Sequence, residues 1–157
     1  MTENKINNEA VKNYFTKLQT DIINAVEIVD GKNFLVDSWQ RSEGGGGTTC
    51  ILENGNIFER AGIGFSNVIG SQLPKSATDA HPEIADSQWE ATGVSLVFHP
   101  KNPFIPTVHM NVRFFVAKKN NKYVWWFGGG MDLTPYYGFV EDAIHFHKTI
   151  QAALTPF

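Results

Sequence analysis

The sequence predicts an α+β protein built on a large, mainly antiparallel β-sheet flanked by helices. Three observations carry that expectation. An apolar stripe at three- and four-residue spacing opens the chain, alternating segments separated by turn residues fill its middle, and a second helical stripe closes it. With 157 residues, 42% of them hydrophobic and 13% aromatic, the chain fits one domain and has ample material for a core.

The opening helix is read from Val11, Tyr14, Phe15, Leu18, Ile22 and Val26, which share one face. Asn7 or Asn8 caps its start, and Asp30-Gly31 ends it. Strand patterns take over from Phe34. Thr48 to Glu53 and Asn56 to Arg60 flank Asn54-Gly55, the strongest short hairpin signal. Gly44 to Gly47 read as a loop before that hairpin. They do not make a phosphate loop, because neither Lys-Ser/Thr nor a helical pattern follows.

Residues 72 to 91, rich in Ser, Pro, Asp and Ala, read as a long irregular excursion. Thr92 to Phe98 is a strand ending at His99-Pro100, and Pro100, Pro103 and Pro106 forbid a helix in the next connection. Thr107 to Lys118 is the most informative strand. Its even positions, Val108, Met110, Val112, Phe114 and Val116, are all apolar, while His109, Asn111 and Arg113 project together from the other face. Lys122 to Phe127 is the next strand, which Gly128-Gly129-Gly130 is expected to end. The last helix runs from about Phe139 to Leu154. Val140, Ala143, Ile144, His147, Ile150 and Leu154 share its inward side, and His145, about 200° away from His147, points elsewhere.

Charge and cysteine content narrow the function classes. A net charge of −3 gives no electrostatic reason to propose a nucleic-acid partner. The single Cys50 excludes an internal disulfide and a cysteine-based zinc cage, and it suits a reducing compartment. The start MTENKINNEAVKNYF lacks a basic segment followed by an apolar one, and the apolar run Tyr123 to Phe127 is too short to span a bilayer. The expectation is a cytoplasmic protein with no membrane span.

The chemistry concentrates on the Thr107–Lys118 strand. Exposed strand faces favour Lys, Thr and Glu, whereas His109, Asn111 and Arg113 offer a titratable ring, an amide and a planar cation. Arg113 supplies a fork suited to a carboxylate. Asp132, after three glycines, fits either a base or a turn-capping aspartate. His99, His109 and His147 fit either a three-nitrogen metal site or ordinary hydrogen bonding, and their spacing does not choose.

The segments VDSWQR, GGGGTTCILENGNIFERAGIGFSNVIG, TGVSLVFHPKNPFIPTVHMNVRFF and WWFGGGMDLTPYYGFVEDAIHFHKT closely resemble the oxygen-dependent coproporphyrinogen III oxidases, in order and with matching gaps. The WWFGGG-x-DLTP block with a downstream HFH is highly specific to that family. The resemblance runs from about Val11 to Phe157 and corresponds to the amino-terminal half of the family's sequence. Residues 1–157 are therefore expected to be the first part of a single domain whose carboxy-terminal half this chain lacks, and to be inactive alone.

What the resemblance implies can be stated residue by residue. The reaction is oxidative decarboxylation of two propionates of coproporphyrinogen III to vinyl groups, giving protoporphyrinogen IX in haem biosynthesis. Dioxygen is the co-substrate, there is no organic cofactor, and a divalent metal such as manganese is found in some members. His109 is the proton donor, and Ser95, Asn111, Val112 and Arg113 contact substrate. Asp132 engages the pyrrole N–H groups, and His99, His109 and His147 match metal-ligand positions. The full-length protein is expected to be a homodimer. Two other classes compete: a cupin-like metal oxygenase, disfavoured because no carboxylate accompanies strand histidines in its pattern, and a non-catalytic tetrapyrrole-binding module.

Overall fold

The computed structural model describes residues 6–71, 73, 78–79, 84, 86–119 and 122–156. Helix α1 (Asn8–Asp30) is followed by strands β1 (Leu35–Gln40), β2 (Gly45–Glu53), β3 (Phe58–Gly70), β4 (Gln88–Pro100), β5 (Thr107–Lys119) and β6 (Lys122–Thr134), and helix α2 (Val140–Leu154) comes last. The six strands lie in sequence order in one sheet, every neighbouring pair antiparallel. The expected α+β class with a mainly antiparallel sheet is what the chain adopts.

Local chemistry sets the ends of α1. Asn7 accepts a hydrogen bond from the Ala10 amide through its side chain, and Gly31 closes the helix in the left-handed region at φ 80°, where a side chain would be strained. Asp30, the last helical residue, is buried at 2% exposure. Its carboxylate accepts the backbone N–H groups of Asn56, Ile57 and Phe58, each at 2.9 Å. The end of α1 is thereby tied to the β2–β3 turn. A Cβ at Gly55 would collide with that carboxyl group, so the turn needs glycine there.

The stripe predicted on α1 lies across the middle of the sheet except for Tyr14, which is exposed. Phe15 and Val26 are buried with Cys50 and Leu52 of β2, Ala61, Ile63 and Phe65 of β3, Val94 and Leu96 of β4, and Phe114 and Val116 of β5. Full burial stabilises each Val, Leu, Ile or Phe side chain among them by about 1.5–3 kcal/mol. Gln19, within this interface, donates to the carbonyls of Thr48 at 2.9 Å and Ile63 at 3.1 Å. Near the helix start, Asn8 and Asn67 hold the two oxygens of Glu90, and Asn67 also reaches the Thr92 hydroxyl. Polar groups inside this interface are thus satisfied.

Several expectations are corrected. Gly128-Gly129-Gly130 does not end β6, which continues to Thr134. The reason is pairing: β5 is long enough to give Gly128, Gly129, Gly130 and Asp132 a partner each, and that outweighs weak strand propensity. Gly45 to Gly47 likewise belong to β2 and not to a loop. Strand β4 begins at Gln88, earlier than expected, and most of the remaining excursion over 72–87 lies outside the described residues. Helix α2 forms where predicted, but among the described residues its apolar stripe is not covered. No α2 residue is buried, and Ile144 and Leu154 are exposed.

Candidate active site

The period-two alternation of the strands gives the sheet one face covered by α1 and one that faces away from it. The strand register arranges the second face as three rows. One row runs Ile51, Gly62, Val97, His109, Asp132 across β2 to β6. The next runs Thr49, Gly64, Ser95, Asn111, Gly130, and the third Gly47, Ser66, Gly93, Arg113, Gly128. Five strands at 4.7–4.9 Å span about 19 Å, and three rows two residues apart span about 13 Å.

This face is low because its residues are small. Gly62, Gly64, Gly128 and Gly130 all lie on it, and a Cβ added at any of them would meet no atom closer than 3.7 Å. The packing within the chain therefore does not require glycine at these four positions. The first two rows form the floor of an open trough of about 900 Å³. A smaller hollow of about 70 Å³ adjoins it, with Ser66, Gly93, Ser95 and Arg113 in its lining. The surface is broad and nearly flat, with polar groups at separated points.

His109 and Asp132 face each other across β5 and β6, with His109 Nδ1 2.7 Å from Asp132 Oδ1. Thr134 donates to the same oxygen at 3.0 Å. The hydrogen bond from His109 holds the Asp132 carboxyl below its ordinary value, Thr134 and the imidazole charge reinforcing it against a smaller opposing effect of desolvation. With the carboxylate ionised, Nδ1 carries the proton and Nε2 is left to meet a ligand. Both side chains are substantially exposed, at 44% and 60%. The pair is reachable from the trough.

Arg113 lies two rows away, on the same strand. Its Nε donates to Asn111 Oδ1 at 2.7 Å. Among the described residues no carboxylate pairs with the guanidinium, so its terminal nitrogens are available. Ser95 is exposed beside Asn111, whereas Val112 points to the α1 face and lines an apolar hollow of about 490 Å³ with Tyr14, Phe127 and Ile150. The structure thus brings Ser95, His109, Asn111, Arg113 and Asp132 to one surface and places Val112 on the other side.

The histidine set is only partly gathered. The His99 and His109 rings approach edge to face, 6.4 Å between centroids, and His99 Nδ1 lies 3.3 Å from the Thr107 hydroxyl. His147 is exposed on α2, where its ring contact is with Phe146. Among the described residues no three His, Cys, Asp or Glu side chains come together as a metal set. In this arrangement His147 is not gathered with the His99 and His109 pair. Cys50 is no nucleophile either: burial first, and then the charge of Glu27, pushes its thiol up.

Some of this was open to sequence reading and missed. Gly62, Gly64 and Ser66 alternate with Ala61, Ile63 and Phe65, the signature of one filled and one bare strand face. The partnership of His109 with Asp132 follows once β5 and β6 are paired outward from Lys119 and Lys122.

The fold thus presents one broad, nearly flat face that carries a histidine–carboxylate pair and an arginine. The chain matches the coproporphyrinogen III oxidase family over residues 10–157 and belongs to that family. This is a family of oxidoreductases with a role in porphyrin and haem biosynthesis, and a coproporphyrinogen is the substrate it implies. Among the described residues no helix is long and apolar enough to cross a membrane.

Proposed function

We propose that the bare sheet face is the bed for coproporphyrinogen III, and that two of its propionates are oxidatively decarboxylated there to vinyl groups. The observation that carries the reading is the three-row surface, with His109 and Asp132 in one row and Arg113 two rows from them. The macrocycle, jointed at its four methylene bridges, lies on glycine and serine positions without displacing the sheet. Arg113 takes a propionate through a charge-assisted fork. Ser95 contributes a hydroxyl beside it.

Each conversion releases CO₂, one proton and two electrons, and dioxygen is the acceptor of the electrons. His109 is the proton donor: with Nδ1–H held by Asp132, the imidazolium form gives up its Nε2 proton. The second oxygen of Asp132 accepts no hydrogen bond among the described residues and is the atom offered to a pyrrole N–H. Manganese bound by His99, His109 and His147 is a separate proposal; equilibrium dialysis of wild type against His147→Ala tests it.

The bed is open to water in this chain, which supports a second reading: the chain alone binds the tetrapyrrole without turning it over. Incubation with coproporphyrinogen III under air, with dioxygen uptake and protoporphyrinogen formation both measured, separates the two. Dioxygen uptake with product establishes the enzyme, and binding alone establishes the module. An anaerobic control that forms as much product would refute the dioxygen requirement. A cytoplasmic location and a homodimer belong to the same proposal; cell fractionation and sedimentation equilibrium test them.

A further inference from the structure

Arginine at an open sheet surface has many rotamers, so a fixed arginine there calls for a cause. One hydrogen bond orients Arg113, whose stem runs over Gly93 in room that only glycine leaves: an added Cβ would lie 3.0 Å from Arg113 Cγ. Its Nε donates to Asn111 Oδ1 at 2.7 Å, two residues back on the same strand face. Arginine only donates, so this bond also sets the Asn111 amide with its oxygen toward the guanidinium and its NH₂ away.

The bond selects how a ligand approaches. A guanidinium binds carboxylate in a bidentate manner along either of two edges, one of which includes Nε. With Nε committed to Asn111, the edge formed by the two terminal nitrogens remains. Arg113 borders the hollow lined by Ser66, Gly93 and Ser95, and no acidic residue lines that hollow. The chemistry there is a cation with neighbouring hydroxyls, suited to a single carboxylate.

We propose that Asn111 is a positioning residue, acting through Arg113 to make the hollow above Gly93 a carboxylate subsite with an end-on arginine fork. The proposal rests on the reading that Arg113 takes a propionate, and it assigns Asn111 an effect that vanishes without that arginine.

The test is fluorescence titration of the purified chain with coproporphyrin III, which carries four carboxylates, and with its tetramethyl ester, which carries none. Wild type, Asn111→Leu, Arg113→Ala and the double variant are compared, with melting temperature as the folding control. Asn111→Leu weakens binding of the acid about tenfold, the scale of one lost hydrogen bond to a charged group, and leaves the ester unchanged. In the Arg113→Ala background the same change has no further effect. Asn111→Ala carries the same test if the leucine variant does not fold. Independent, multiplying losses for Asn111 and Arg113, or equal losses for acid and ester, would overturn the positioning role while leaving the propionate reading intact. Arg113→Ala binding the acid as tightly as wild type would instead overturn the propionate reading, and this proposal with it.

Discussion

Replacing Asp30 by asparagine tests how the sheet carrying the site is held to its helix. Burial alone pushes the Asp30 carboxyl up, but the backbone donors of Phe58, Ile57 and Asn56 outweigh it. With help from Lys101, they hold it below its ordinary value of 3.8. Ile57 and Phe58 donate to one oxygen and Asn56 to the other. Asparagine keeps the first oxygen as a neutral acceptor and sets an NH₂ against the Asn56 N–H. One charge-assisted bond is lost and two are weakened, a cost of about 2–4 kcal/mol. Against a total stability of about 5–15 kcal/mol, that is a large share.

The assay is urea unfolding, in which the midpoint falls by about 1–2 M at neutral pH. Because the folded value is depressed, this stabilisation is fully present above 3.8 and is lost as pH falls through the folded value. The gap between wild type and Asp30→Asn therefore closes in acid. Equal midpoints at neutral pH, or a gap that persists undiminished well below 3.8, would refute the tie between α1 and the β2–β3 turn.

Other expected outcomes bear on the site directly. Asp132→Asn lowers turnover by about 10²–10⁴-fold in any assay of protoporphyrinogen formation, with melting temperature near wild type because the residue is exposed. A reversed pattern, normal turnover and lower melting temperature, would make it a turn residue. Gly130→Leu leaves the fold intact, since nothing lies within 4 Å of an added Cβ, but abolishes binding of coproporphyrin III by filling the bed. Unchanged titration curves would remove the macrocycle from this face. Leu52→Ala, at a site 1% exposed, costs about 2–5 kcal/mol in urea unfolding through the cavity it leaves.

Much of the architecture was legible because local chemistry and pattern agreed. Asn7, Gly31 and the stripe from Val11 to Val26 specify α1, and strict alternation from Val108 to Val116 specifies β5 and its two faces. Where reading failed, a distant partner decided. Glycine carries little strand preference, so Gly128 to Gly130 looked like an ending until β5 supplied the pairing that extends β6. That error also displaced Asp132 from a strand to a loop and hid its hydrogen bond to His109. His147 shows the converse limit. Helical phase gives its direction around α2, but the meaning of that direction depends on what the helix packs against, and no sequence period contains that.

The sequential order of the sheet has a consequence for how the chain acquires its chemistry. Each strand pairs with the one made just before it, so the sheet can lengthen one hairpin at a time, without waiting for a distant segment to return. During synthesis α1 emerges before the strands of this sheet, and β2 to β5 can add against its apolar stripe as they follow. The surface that would receive a macrocycle is thus paved early, and His109 arrives on it with β5. Its carboxylate partner comes only with β6. Until β6 has zipped from Lys122 to Thr134, the growing protein holds that surface without its histidine–carboxylate pair.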